Sequence, residues 1–138
     1  MTRSQAAISG LQGCLAIEHE ALWLYAYVGA RVTAISRQAH DSYESHRKSR
    51  DVLIAMLHDS QASLPAPATD YASGNATSPS QARAIVRSIE AKVEAANLVL
   101  VGSSEGLDRE FALKGLRRAA LASLAWGGAP VAFPGLPA

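Results

Sequence analysis

Through a proline-free stretch from about residue 4 to 34, apolar side chains fall at Ile8, Leu11, Leu15, Leu22, Tyr25 and Val32. Spacings that alternate between three and four mark the seam of a helix that packs in a bundle. The composition agrees with this reading. The chain carries 27 alanines and only 6% aromatic residues, and alanine favours helix and is depleted in strands. Hydrophobic residues at 49% and charged residues at 18% exclude a disordered chain. A length of 138 residues suits one domain spanning 1–138. The formal charge of +1 offers no field for nucleic acid or an anionic membrane. Cys14, the single cysteine, has no intrachain partner for a disulfide.

The same alternation continues in a second helix, about 38–59, through Ala39, Tyr43, Leu53 and Leu57. A stretch rich in Ser, Ala, Pro, Thr, Gly and Asn follows, from Ser60 to Pro79, and reads as a loop. The third helix, about 79–101, opens with Ser78 as N-cap, Pro79 in the first turn and Gln81 completing a capping box. Gly102 is its expected stop. The fourth helix, about 104–126, ends at Gly127-Gly128 and leaves a proline-containing tail over 127–138. A loop this long is unusual in a compact domain. It is explained if the second and third helices run parallel, so that the chain must return the length of the bundle between them. The fold class expected is therefore all-α, a ferritin-like four-helix bundle with a long crossover between helices 2 and 3.

Polar residues interrupt the apolar seams. Glu18 falls in the middle of the first, and His46 and Arg50 fall on the second at positions 39, 43, 46, 50, 53 and 57. A buried carboxylate demands partners. The expectation is a buried polar cluster of Glu18, Tyr25, Tyr43, His46 and Arg50, with Arg50 forking onto Glu18. On the fourth helix Leu107, Phe111, Leu113, Leu116, Leu121 and Leu124 span a broad face, with Glu110 and Arg117 near its centre. On the third, Glu90 and Glu94 lie well to the side of the apolar stripe.

Carboxylates inside a helical bundle also raise the question of metal. Di-iron bundles take a Glu from each of two helices and a Glu-x-x-His pair from each of the other two. Here the residue three before His46 is Tyr43, and the fourth helix has no histidine. The residues that would hold iron or manganese, in this alternative of a metal-binding oxidoreductase, are Glu18, His46, Glu94 and Glu110. The leading expectation is no cofactor and no catalytic residue. A small-molecule pocket near Tyr25, Tyr43 and His46 is a further possibility.

The first helix is apolar on nearly every side, because Ile17, Trp23, Leu24, Tyr27 and Val28 lie off its seam. Such a helix needs cover on every side. The expected cover is the tail from Trp126 to Leu136 or a second copy in a homodimer packed through those five residues. No run of eighteen apolar residues and no h-region is found, so a cytoplasmic chain without membrane or nucleic-acid partners is expected.

Glu18-His19-Glu20-Ala21 with Tyr25 and Tyr27, His46-Arg47-x-x-Arg50-Asp51, Trp126, and Phe133-Pro134-Gly135-Leu136 together give a resemblance. From about Ala7 to Leu136 the chain resembles the ferritin-like domain family of unknown function found in actinobacteria. That resemblance implies a cytoplasmic four-helix bundle with no established activity, and it adds no catalytic residue. The chain departs from iron-oxidising ferritins in lacking both Glu-x-x-His pairs. The functional expectation is a ferritin-like bundle that dimerises and serves as a structural or binding module.

Overall fold

The computed structural model describes residues 2–137; Met1 and Ala138, the two ends of the expected domain, lie outside the described residues. Four helices account for most of the chain: α1 Gln5–Arg31, α2 Ser36–Asp59, α3 Pro79–Ser103 and α4 Gly106–Ala125, with a 3-10 turn at Thr33–Ile35 between the first two. They form an all-α four-helix bundle, and no strand occurs among the described residues.

Local chemistry sets the ends. Ser4 Oγ accepts from Ala7 N at 3.1 Å, and Ser78 Oγ accepts from Gln81 N at 3.2 Å, each satisfying a first-turn donor. The return half of the expected capping box is shifted by one residue. Gln81 Oε1 accepts from Thr77 N at 2.9 Å and from Thr77 Oγ1 at 2.6 Å. Helix α3 passes through Gly102, the expected stop, and ends at Ser103, with Ser104 Oγ donating back to Leu100 O. The stop after α4 falls where the glycines require it. Gly127 (φ +90°) donates to Leu124 O at 2.9 Å and Gly128 to Ser123 O at 2.8 Å, a Schellman turn.

Direction follows from which ends meet. Arg3, just before α1, reaches Met56 and Asp59 at the end of α2 and Asp108 at the start of α4. At the opposite end Val28, Val32, Ala82, Val86 and Trp126 pack in one cluster. Helices α2 and α3 therefore run parallel, and the crossover between them climbs the outside of α1. Gln12 Nε2 donates to Ser63 O (3.0 Å), His19 Nε2 to Pro65 O (3.1 Å) and Tyr27 OH to Gly74 O (3.1 Å). The long crossover expected from the loop length is present.

This crossover also packs along α1, the helix through which a homodimer is expected. Trp23 stacks on Tyr27 at 5.3 Å, Tyr71 meets Trp23 edge-on at 6.0 Å, and Arg31 lies 4.4 Å over the Tyr27 ring. Leu24 and Val28 are buried in this chain's own core, and Ile17 packs against it. The tail does not run over α1 beyond Trp126. Gly135 sits against α3, where a Cβ would lie 3.0 Å from Glu94 O.

Helix α4 turns small residues inward. Only Ala112 and Ala119 are fully buried on it, and Gly115 lies against Asn97. The broad leucine face is split: Phe111 packs on the cluster around Leu11, Leu53 and Leu57, whereas Leu107 is 79% exposed and Leu121 65%. Alanines and glycine let the backbone of α4 approach α3 closely, and Leu107, Leu121 and Leu124 then project outward.

Candidate functional site

Two apolar clusters fill the ends of the bundle, one around Leu11, Leu15, Leu53 and Leu57, the other around Tyr25, Val28, Val86 and Trp126. Between them, at mid-height, lies a polar layer. Glu18 on α1 is 4% exposed, His46 on α2 7% and Glu90 on α3 1%. His46 Nδ1 lies 2.6 Å from Glu18 Oε2, and its Nε2 lies 2.7 Å from Glu90 Oε1. Tyr25 OH donates to the same Glu90 oxygen at 2.6 Å, and its ring stacks on the imidazole with centroids 5.3 Å apart. Trp126 closes the other side of Tyr25 at 6.0 Å.

With a carboxylate on each ring nitrogen, both nitrogens of His46 act as donors, so the ring is an imidazolium. Burial pushes the pKa of His46 down, but the hydrogen bonds it donates to Glu18 and Glu90 and their charges outweigh it, and the value is raised to about 10. Burial, and then the charge of Glu90, hold the Tyr25 phenol far above its ordinary range, so it is a fixed donor. Burial, with Glu18 one turn away, pushes the Cys14 thiol up to about 12, which removes it from thiolate chemistry at neutral pH.

Of the residues expected in this cluster, Glu18, Tyr25 and His46 are brought together. Arg50 is not. It is half-buried on the flank of α2, with Nε on Asp51 Oδ1 at 2.9 Å, and Ser49 takes the inward position instead. A seam of threes and fours leaves both 49 and 50 within reach of the core, and the serine is far cheaper to bury than a guanidinium. His46 supplies the positive charge that Arg50 was expected to bring. Tyr43 is partly buried against the upper cluster and lines a groove with Tyr25, Gly29 and His40, outside the polar layer.

Glu90 is the member the sequence reading placed off the stripe. Helix α3 packs against α1 on one side and α4 on another, so its buried arc is wider than one seam. That arc takes in Glu90, Glu94 and Asn97, and their spacing of four and three was the available signal. Glu94 is buried under the tail. Burial raises its pKa, opposed in part by the N–H of Gly135.

The four residues named for a metal do not converge. Glu110 is exposed and faces Lys114 Nζ at 3.7 Å. Glu94 faces the tail. Glu18 and Glu90 approach His46 from opposite edges of its ring, so no single ion can meet all three as they stand. Among the described residues no group of three or more His, Cys, Asp or Glu side chains is placed to hold a metal ion. The donor set does not fit a di-iron centre: the second helix offers Tyr43 where a carboxylate is required, and the fourth offers Ala112 and Ala119 inward.

Beside the polar layer, between α2 and α4, is a cavity of about 50 Å³ bordered by Glu18, Ser45, Glu90, Asn97 and Gly115. Arg118 stands at its edge and donates Nη1 to Ser49 Oγ at 2.8 Å. Among the described residues no helix is long and apolar enough to cross a membrane.

No curated protein matches this chain. A solved structure of similar shape is a conserved hypothetical protein from Mycobacterium tuberculosis. It has 26% sequence identity and a TM-score of 0.82 over 91% of this chain and 94% of that one. A family model matches residues 10–138, and the chain belongs to that family, described as a domain of unknown function (DUF4439).

Proposed function

We propose that this protein is a ferritin-like bundle that works without a transition metal, as a structural or binding module rather than an enzyme. The observation that carries the reading is the engagement of both His46 nitrogens by carboxylates, at 2.6 and 2.7 Å. A histidine ligates a metal through a lone pair on a neutral ring. Here both ring nitrogens donate, and the positive charge at the centre of the bundle is the imidazolium itself. The parallel α2 and α3 with one long crossover support the ferritin-like kinship. The lone buried thiol of Cys14 fits a cytoplasmic setting.

Elemental analysis and an optical spectrum of protein purified without chelator test this. The expected result is less than stoichiometric iron and manganese, unchanged in Glu18→Ala and His46→Ala. Stoichiometric metal that disappears in either variant overturns the reading.

A further inference from the structure

The tail beyond α4 is fixed to the bundle at its root and near its far end, with little apolar burial between. At the root Trp126 is 1% exposed, and Arg87 Nη1 donates to Trp126 O at 2.8 Å. At the far end Phe133-Pro134-Gly135-Leu136 closes a turn, with Leu136 N donating to Phe133 O at 3.3 Å and Gly135 at φ +91°. Proline followed by a residue of positive φ is the type II pattern, which glycine meets without strain. That glycine is the seat on α3: a Cβ there would lie 3.0 Å from Glu94 O and 3.1 Å from Leu98 Cβ. The large side chains of the tail face out, since Val131 is 62% exposed, Phe133 72% and Leu136 59%.

What the tail does bury is a carboxylate. Glu94 is 7% exposed and receives the N–H of Gly135. Residues 129–137 carry no charged side chain, and the charged group acting on Glu94 is Glu90, of like sign, one turn away on α3. Burial outweighs the bond from Gly135 and holds the Glu94 carboxyl above its ordinary range. Seating the tail therefore strips water from a carboxylate and supplies one hydrogen bond in exchange. Segments with few buried apolar contacts are the ones that open locally.

We propose that residues 129–137 form a strap that lifts from α3 while the four helices stay folded, with Glu94 setting how readily it lifts. The hinge is the Gly127-Gly128 turn, because Trp126 stays anchored in the core. Lifting opens Glu94 to water one turn from Glu90, so the strap governs access to the polar layer from the α3 side.

The test is native-state hydrogen exchange, read by NMR on the intact protein at neutral pH with and without urea below the unfolding transition. The Gly135 and Leu136 amides should exchange about a hundredfold or more faster than the core amides of α3, at rates that urea leaves unchanged, the mark of a local opening. Glu94→Gln keeps an acceptor for the Gly135 N–H and removes the buried charge, so it should slow both amides by about tenfold. Gly135→Ala, blocked at its seat and strained at φ +91°, should bring Leu136 to the unprotected rate and leave the α3 core amides as they were. Tail amides that exchange only with the α3 core and share its urea dependence overturn the proposal, because the tail is then part of the bundle. Rates unmoved or raised by Glu94→Gln overturn it as well.

Discussion

Glu18 is paired with His46 across 28 residues of sequence at 2.6 Å, while Arg50, one turn further along the same helix, turns away to Asp51. The cation chosen for the interior is thus the smaller one. Removing either member of the buried pair should cost roughly 3–5 kcal/mol, because the survivor is left charged and alone. Arg50→Ala, on a half-buried flank, should cost less than about 1 kcal/mol. Urea unfolding of Glu18→Ala, His46→Ala and Arg50→Ala checks the ordering. Equal losses in all three would contradict the geometry described here.

Stability should fall on the alkaline side. The pKa of His46 is raised from 6.5 to about 10 in the folded chain, so folding binds a proton more tightly. A raised value stabilises fully below the unfolded pKa and is lost as pH rises through the folded one. Unfolding free energy should therefore be level in His46 below about pH 6.5 and decline from there toward pH 10. His46→Gln should flatten that decline. A wild-type profile flat over the same window would show that the carboxylates do not hold the ring protonated.

Tyr25→Phe removes one of two donors to Glu90 Oε1 and keeps the ring stack on His46. The loss expected is about 1–3 kcal/mol, the cost of an unmade bond to a buried charge. Thermal or urea unfolding should place it between wild type and His46→Ala. A destabilisation equal to that of His46→Ala would mean that the phenol, and not the imidazole, holds the layer together.

Arg3 closes the lower end of the bundle. Its Nε and Nη2 fork onto Asp108 at 2.6 and 3.1 Å, and Nη1 reaches Met56 O at 2.9 Å. Arg3→Lys keeps the charge and loses the fork, and should cost about 1–2 kcal/mol. Amide exchange should then quicken at the start of α4 and the end of α2 and leave the polar layer unchanged. Uniform quickening across all four helices would argue against a local clasp.

Much of the architecture was legible in the residues because it rests on spacing and punctuation. The seam of α1, the Ser78 cap and the Gly127-Gly128 stop each act through contacts a few residues apart. The crossover could be inferred because its length has only one economical use. Glu18, Tyr25 and His46 were visible as polar groups on apolar seams. Arg50 and Glu90 were misplaced for one reason: a seam identifies the centre of a buried face, not its width. That width depends on how many neighbours a helix has, and α3 has two. On α4 the pattern of leucines misled, because close approach of backbones selects alanine and glycine and leaves larger side chains outside. Arg3 was not singled out, since its partners lie 53 and 105 residues away.

The band of charge at mid-height has a consequence for alignment. Leucine and alanine surfaces permit neighbouring helices to slip lengthwise by a turn, about 5.4 Å, with little change in what each side chain touches. A slip of that size by α1 or α3 would carry its carboxylate out of reach of His46, and a slip by α2 would part His46 from both Glu18 and Glu90. The trio thus acts as a pin that admits one axial setting of three helices and rejects its neighbours.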